Sequence, residues 1–422
     1  MTNSWVVSAT TPEHPFPLEN LPYGVFRRGG GVPSIGVAIG EEILNVQALA
    51  GAGFLDDLGP KVVAACRAPV LNDLMGLGPD AWSRLRVTLY SLLSGEVAPD
   101  VAAMLVSQRD VVMQLPARVG DYSDFYASIN HAMNVGAMFR PDQPLMPNYK
   151  WVPIGYHGRA SSIVPSGTAV QRPSGQVNAD ESAPPIVAAT KSLDYECEVG
   201  VFVGQGNALG TPIPIGQAAR HIFGYVLLND WSARDIQRWE YQPLGPFLSK
   251  SFITSISPWV VTSEALEPFR APLRPRPEGD PKPLPYLSDE TDAQRGGIDV
   301  TLEVYLQTEQ MRRSGGQAVR LSECSFLEMY WSPAQLVAHQ TSNGCNLQPG
   351  DLLGSGTVSG TTPDGRGCLL ELTARGKHPV SLPDGETRRF LEDGDEVILR
   401  GTCRREGAVT IGFGECRGRV VG

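Results

Sequence analysis

Asp194, Glu196 and Glu198 alternate along residues 193–202, within an otherwise largely apolar run. On an extended strand alternate side chains share a face, so the three carboxylates would line up together. Like charges so placed repel unless water or a cation compensates them. Two readings follow: a solvated strand face, or a site for a hard cation such as Ca2+ or Mg2+, which take carboxylate oxygens. A second cluster occupies residues 121–136. Ser123 or Asp124 could cap a helix there and Gly136 could end it. Asp124 and His131 would then share a face, about 10 Å apart along the axis. A carboxylate and an imidazole so placed could hold a metal and a general base at two ends of a small substrate, or be an N-cap and an unrelated histidine.

A third cluster runs from Asn229 to Tyr241. An apolar strand leads into Asp230, a possible fourth carboxylate ligand, and a helix is expected to start near Ser232. Arg234, Gln237 and Tyr241 would share one stripe of it. Arg and Gln donors on one stripe could stabilise an oxyanion, or simply face solvent on an amphipathic helix. Lys250 lies in an apolar, turn-rich stretch, where a buried ammonium needs a partner. Glu371 sits inside the apolar run 368–373, read here as a strand. A buried Glu is rare unless paired, so it either closes an ion pair or orients a catalytic group such as a histidine.

The elements that must carry these groups are suggested by composition. Gly (46) and Pro (35) are about 19% of the 422 residues, against about 12% on average. Both interrupt helices, which argues against a helical bundle and for short strands joined by turns. Strand-like runs cover 25–28, 34–39, 108–115, 198–203, 223–229, 257–262, 298–307, 368–373 and 396–402. Helical spacing covers 61–76 and 80–94, and 265–295 reads as a surface loop. Residues 1–118 form a small β module with helical additions, and 119–422 one large β-rich domain. The net charge of -10 argues against a nucleic-acid partner. Apolar runs are too short to span a bilayer, and Met1–Trp5 shows no leader pattern. Seven scattered cysteines with no C-x-x-C pair argue against structural zinc and for reduced, cytoplasmic thiols. The glycines of 204–210 are spaced wrongly for a dinucleotide loop, and no G-x-S-x-G or P-loop occurs.

Taken in order, residues 121–126 with His131, 155–159, 194–198, 229–237, 239–250, 343–350 and Gly356-Thr357 resemble the fumarylacetoacetate hydrolase family, from about residue 16 to the C-terminus. The resemblance implies a mainly β fold: an N-terminal SH3-like barrel followed by a mixed β-sandwich roll, in a homodimer. It implies Asp124, Glu196, Glu198 and Asp230 as ligands of Ca2+ or Mg2+. Asp230, Lys250 and Thr254 match a second Mg2+ site, where Lys250 would have to ligate through its backbone carbonyl. Asp194 is then no ligand. Tyr126, Arg140, Gln237, Tyr241 and Thr357 match substrate contacts, and Tyr156 shares their pocket motif.

The implied reaction is hydrolysis of the carbon–carbon bond of 4-fumarylacetoacetate, a β-diketone acid. His131 would deprotonate water, Glu371 would orient it, and Arg234, Gln237 and Lys250 would supply oxyanion donors. Arg140, Tyr126 and Thr357 would bind carboxylate ends. An acylpyruvate hydrolase, decarboxylase or isomerase of the same superfamily is the rival, usually shorter and without the N-terminal barrel. A non-enzymatic metal-binding interaction protein would not need His131, Glu371, Arg234, Gln237 and Lys250 together.

Overall fold

A computed structural model of the chain describes residues 4–178, 182–383 and 385–422. The leader reading rests partly on Met1, Thr2 and Asn3, which lie outside the described residues. The N-terminal part is a five-stranded antiparallel sheet in the order Leu105–Ser107, Glu42–Asn45, Ser34–Ile39, Tyr23–Arg27, Val112–Gln114. The helix Pro79–Leu93 buries Leu85, Leu89 and Leu93, one side of a 3.6-residue repeat.

An eight-stranded mixed sheet dominates the rest, with Tyr122–Phe125, Leu352–Gly354, Cys197–Val203, Ile222–Asp230 and Thr254–Ile256 side by side. Its long strands are buried throughout because both faces are covered, which explains their unbroken apolar runs. Alternation sorts their side chains. Val199, Val201, Tyr225 and Leu227 face a core shared with a second, five-stranded sheet through Leu302, Val304, Leu399 and Phe413. Phe202, Val226, Leu228, Ile256 and Leu352 face the other way, onto Val25, Val37, Leu85 and Leu89 of the N-terminal part. The fold is therefore mainly β, a small N-terminal barrel-like sheet docked on a β-sandwich roll.

Following that second face to the end of the sheet gives the positions of the acids. Asp124 is two residues from Tyr122, Glu198 four from Phe202, Asp230 two from Leu228 and Thr254 two from Ile256. All share the parity of the residues that meet the N-terminal core. The apolar face thus turns into a carboxylate face where its cover stops.

Several local expectations are corrected. Residues 368–373 are no strand: Leu369–Leu372 is a short helix, and Glu371 sits in it. Asp124 is on the strand Tyr122–Phe125, not on the helix of His131, so their helical spacing does not apply. That helix is Ile129–Phe139, capped by Ser128 rather than Ser123 or Asp124, and it continues past Gly136. Tyr241 caps the helix Arg234–Glu240 instead of extending its stripe. Residues 61–76 are two helices, Pro60–Cys66 and Asn72–Met75. Only Val261–Thr262 of 257–262 is a strand. Gln108–Asp110 is a 3-10 turn preceding Val112–Gln114. The loop 265–295 holds a helix, Glu290–Arg295. For 257–262 and 368–373 the short apolar runs carry no period long enough to tell strand from helix or turn.

Candidate active site

Four neighbouring strands bring the acids together. Asp124 pairs with Gly354 in register, Gly354 with Gly200, and Asp230 with Thr254. Oxygen atoms of Asp124, Glu198 and Asp230 all lie within 4.8 Å of one another. Burial and the surrounding acids push the Asp124 and Glu198 carboxyls well up from their ordinary values. Asp124 Oδ1 and Glu198 Oε1 are buried without a hydrogen-bond partner among the described residues. A Cβ on Gly354 would stand 2.4 Å from Asp124 Oδ1 and 3.0 Å from Glu198 Oε2, so only glycine leaves this cradle open. Orphaned oxygens converging over a glycine suit a hard, oxygen-seeking cation.

Glu196 lies outside that trio. Arg234 Nη2 stands 2.8 Å from its Oε1, and the Lys250 ammonium touches its Oε2. Burial alone would raise the Glu196 carboxyl, but Arg234, Lys250 and His131 hold it well below the usual range. Lys250 Nζ also donates to Asp230 Oδ2 at 2.6 Å. The Lys250 side chain therefore enters the carboxylate cluster as a counter-charge. Thr254 Oγ1 is 3.5 Å from Asp230 Oδ1. Tyr156 donates its hydroxyl to Asp230 Oδ2 at 3.0 Å.

Ser128 caps the helix that carries His131 and accepts from the His131 N–H. His131 Nδ1 is 2.6 Å from Glu371 Oε2. Asn134 and Ser359 donate to the same carboxylate, each at 2.8 Å. Burial would raise the Glu371 carboxyl, but the facing His131 and these donors bring it down to about 2. A carboxylate only accepts, so Nδ1 carries a proton, and in the neutral imidazole the lone pair is then on Nε2. That nitrogen lies 3.9 Å from Glu196 Oε1, and the Tyr126 ring meets the imidazole edge-on at 5.3 Å.

Asp194 has a role that strand-face reasoning missed. Its Oδ2 accepts from Arg234 Nε at 2.9 Å, and its two oxygens accept the N–H groups of Leu369 and Leu370. One buried carboxylate thus ties Arg234 to the turn that presents Glu371. Asp194→Ala removes the partner of the buried Arg234 Nε and leaves the Leu369 and Leu370 N–H groups without an acceptor; the expected cost is about 3–5 kcal/mol, read by urea unfolding.

A cavity of about 660 Å³ joins these groups. Asp124, Tyr126, His131, Arg140, Tyr156, Glu196, Glu198, Arg234, Gln237, Tyr241, Lys250 and Thr357 all line it. Of the expected residues, Asp230, Thr254 and Glu371 lie outside its lining. Gln237 Oε1 accepts from Arg234 Nη1 at 3.1 Å. Arg140 is exposed at the mouth and donates to the Pro144 carbonyl.

A family model described as the fumarylacetoacetate (FAA) hydrolase C-terminal part matches residues 122–421, and one for the fumarylacetoacetase N-terminal part matches 19–116. The chain is 51% identical to a fumarylacetoacetase of Bos taurus and 50% identical to one of Homo sapiens, each over 96% of both chains. The chain belongs to the fumarylacetoacetate hydrolase family. Its fold is shared with a solved fumarylacetoacetate hydrolase from psychrophilic Exiguobacterium antarcticum, at TM-score 0.51 and 18% identity, over 95% of this chain and 99% of that one.

Within this family member, sequence reasoning passed over Asn134 and Ser359, and read Gly354 as a turn glycine before Thr357 rather than as the floor under Asp124 and Glu198. Asn134 follows His131 by three residues on one helix face, a signal that appears once the helix is started at Ile129. Gly354 reaches the site through sheet pairing, and Ser359 through the irregular segment that follows that strand.

Proposed function

We propose that this chain hydrolyses the carbon–carbon bond of 4-fumarylacetoacetate to fumarate and acetoacetate, the last step of tyrosine breakdown. The observation that carries the reading is the His131–Glu371 pair, 2.6 Å apart, whose imidazole lines one cavity with Arg234, Lys250, Asp124, Glu196 and Glu198. His131 Nε2 takes a proton from water, and Glu371 stabilises the imidazolium that results. The hydroxide adds to the carbonyl carbon, and Arg234, Lys250 and Gln237 supply donors toward the oxyanion. The carbon–carbon bond then breaks with its electron pair passing into an enolate, which the imidazolium protonates. A divalent cation held by Asp124, Glu198 and Asp230, with Glu196 beside them, would supply Lewis-acid stabilisation of the diketone oxygens.

Tyr126, Tyr156, Tyr241, Arg140 and Thr357 are proposed to bind the substrate, supported by their place in the cavity lining. The cation is proposed to be Ca2+ or Mg2+, with a second Mg2+ at Asp230, Thr254 and the Lys250 carbonyl. We propose one unit over 1–118 and a second over 119–422, in a cytoplasmic homodimer. The family-model limits support the division. No helix among the described residues is long and apolar enough to cross a membrane. The exposed Leu244, Phe247, Ile186 and Val187 support a self-association surface.

Loss of the diketone absorbance of fumarylacetoacetate, with fumarate and acetoacetate appearing in equal amounts, tests the reading. Turnover of an acylpyruvate in its place would overturn it. Gln237→Ala is expected to lower kcat by about 10²–10³-fold, measured in the same assay with the melting temperature nearly unchanged, because Gln237 is only half-buried.

A further inference from the structure

The cations on the cavity wall fall into two groups. Arg234 and Lys250, at the floor, are matched by Asp194, Glu196 and Asp230. Arg140, Arg238 and Arg375, which also line the cavity, form no ion pair among the described residues. Unmatched positive charge on the wall of a concave site concentrates anions there.

Arg375 is held in place. Its Nη1 donates to the Met138 carbonyl at 3.0 Å, and its guanidinium lies 4.3 Å over the Phe139 ring. The remaining guanidinium N–H groups have no partner among the described residues. Met138 and Phe139 end the helix whose first turn carries His131, so Arg375 stands about 12 Å along that axis from the base, on the mouth side. Ala374 and Arg375 both have positive φ, 47° and 62°, a conformation that L-residues adopt rarely. The Arg375 N–H closes the turn on the Leu370 carbonyl. The strained pair lets one short segment send Glu371 inward to His131 and Arg375 outward to the cavity wall. Such strain concentrates at functional sites.

We propose that Arg375 is a specificity-determining residue that binds the mouth-side carboxylate of a dicarboxylic β-diketone substrate. The assignment rests on the hydrolase reading above. That substrate carries a carboxylate at each end. With its reacting carbons near His131, one end must point toward the mouth, where a forked, pre-positioned guanidinium matches a carboxylate.

Arg375→Gly is the informative variant, because glycine accepts φ 62° without strain and the turn is kept. The holoenzyme would be assayed with the diacid and with two β-diketone monocarboxylates, each lacking one end carboxylate. We expect Arg375→Gly to raise KM for the diacid by about 10- to 100-fold. The monoacid lacking the mouth-side carboxylate should show a far smaller rise, and Arg375→Lys should recover part of the loss. Equal changes for all three compounds, or none, overturn the assignment. Absence of turnover by the unaltered enzyme sinks the hydrolase reading separately. Calorimetric titration of the same compounds into both proteins then decides Arg375: weakening confined to compounds bearing the mouth-side carboxylate supports it, and equal or no weakening overturns it.

Discussion

His131→Ala is expected to lower kcat for carbon–carbon hydrolysis by about 10²–10⁴-fold, and adding Glu371→Gln should cost little more. The two groups act as one unit. Glu371 touches the reaction only through Nδ1, 2.6 Å away, so without the imidazole it has nothing left to orient. Glu371→Gln alone should also cost activity, because an amide can offer its N–H to Nδ1 and favour the wrong tautomer. Single-turnover rates of the two single variants and the double decide the matter. Near-multiplicative losses would mean that the residues act independently.

The same pair makes a claim about pH. The folded Glu371 carboxyl is lowered from 4.5 to about 2. A depressed acid adds stability that is fully present above its unfolded pKa and is lost as pH falls through the folded value. Urea-unfolding free energy should therefore drop between about pH 4.5 and pH 2, with a shallower drop in Glu371→Gln. Equal slopes in the two proteins would show that this carboxyl is not held low.

How far the sequence carries such arguments differs between groups. Asp230 and Arg234 were placed correctly because strand and helix meet there in one local run, and alternation and helical spacing act within such a run. The resemblance paired Glu371 with His131, but no periodicity could, since the partners are separated by 240 positions. Asp194 illustrates the limit. Its alternation with Glu196 and Glu198 suggested a shared face, yet the strand is broken between Leu193–Asp194 and Cys197–Val203. The break turns Asp194 toward Arg234 and away from the acid trio. Short apolar segments such as 368–373 were misassigned for a related reason: the buried turn and the buried strand need the same side chains, and tertiary contacts choose between them.

Gly354→Ala should abolish cation binding and with it most of the activity, about 10³-fold if the ion contributes several kcal/mol to the transition state. The new methyl would sit 2.4 Å from Asp124 Oδ1, inside the cradle. In the unaltered protein, Mg2+ or Ca2+ at about a hundred times Kd should add about 2.7 kcal/mol to stability. Exhaustive chelation should remove that gain together with turnover. Gly354→Ala should melt at the same temperature with and without the ion. Asp124→Asn separates charge from space. It relieves repulsion among buried carboxylates that burial and neighbouring acids already disfavour, so the metal-free variant should be more stable than metal-free wild type while losing the cation response. Repulsion that destabilises the empty site is also what gives the site its affinity for the ion, so these two effects should move in opposite directions. Full turnover in metal-free protein, or an unaltered cation response in Gly354→Ala, would remove the acid trio from the mechanism.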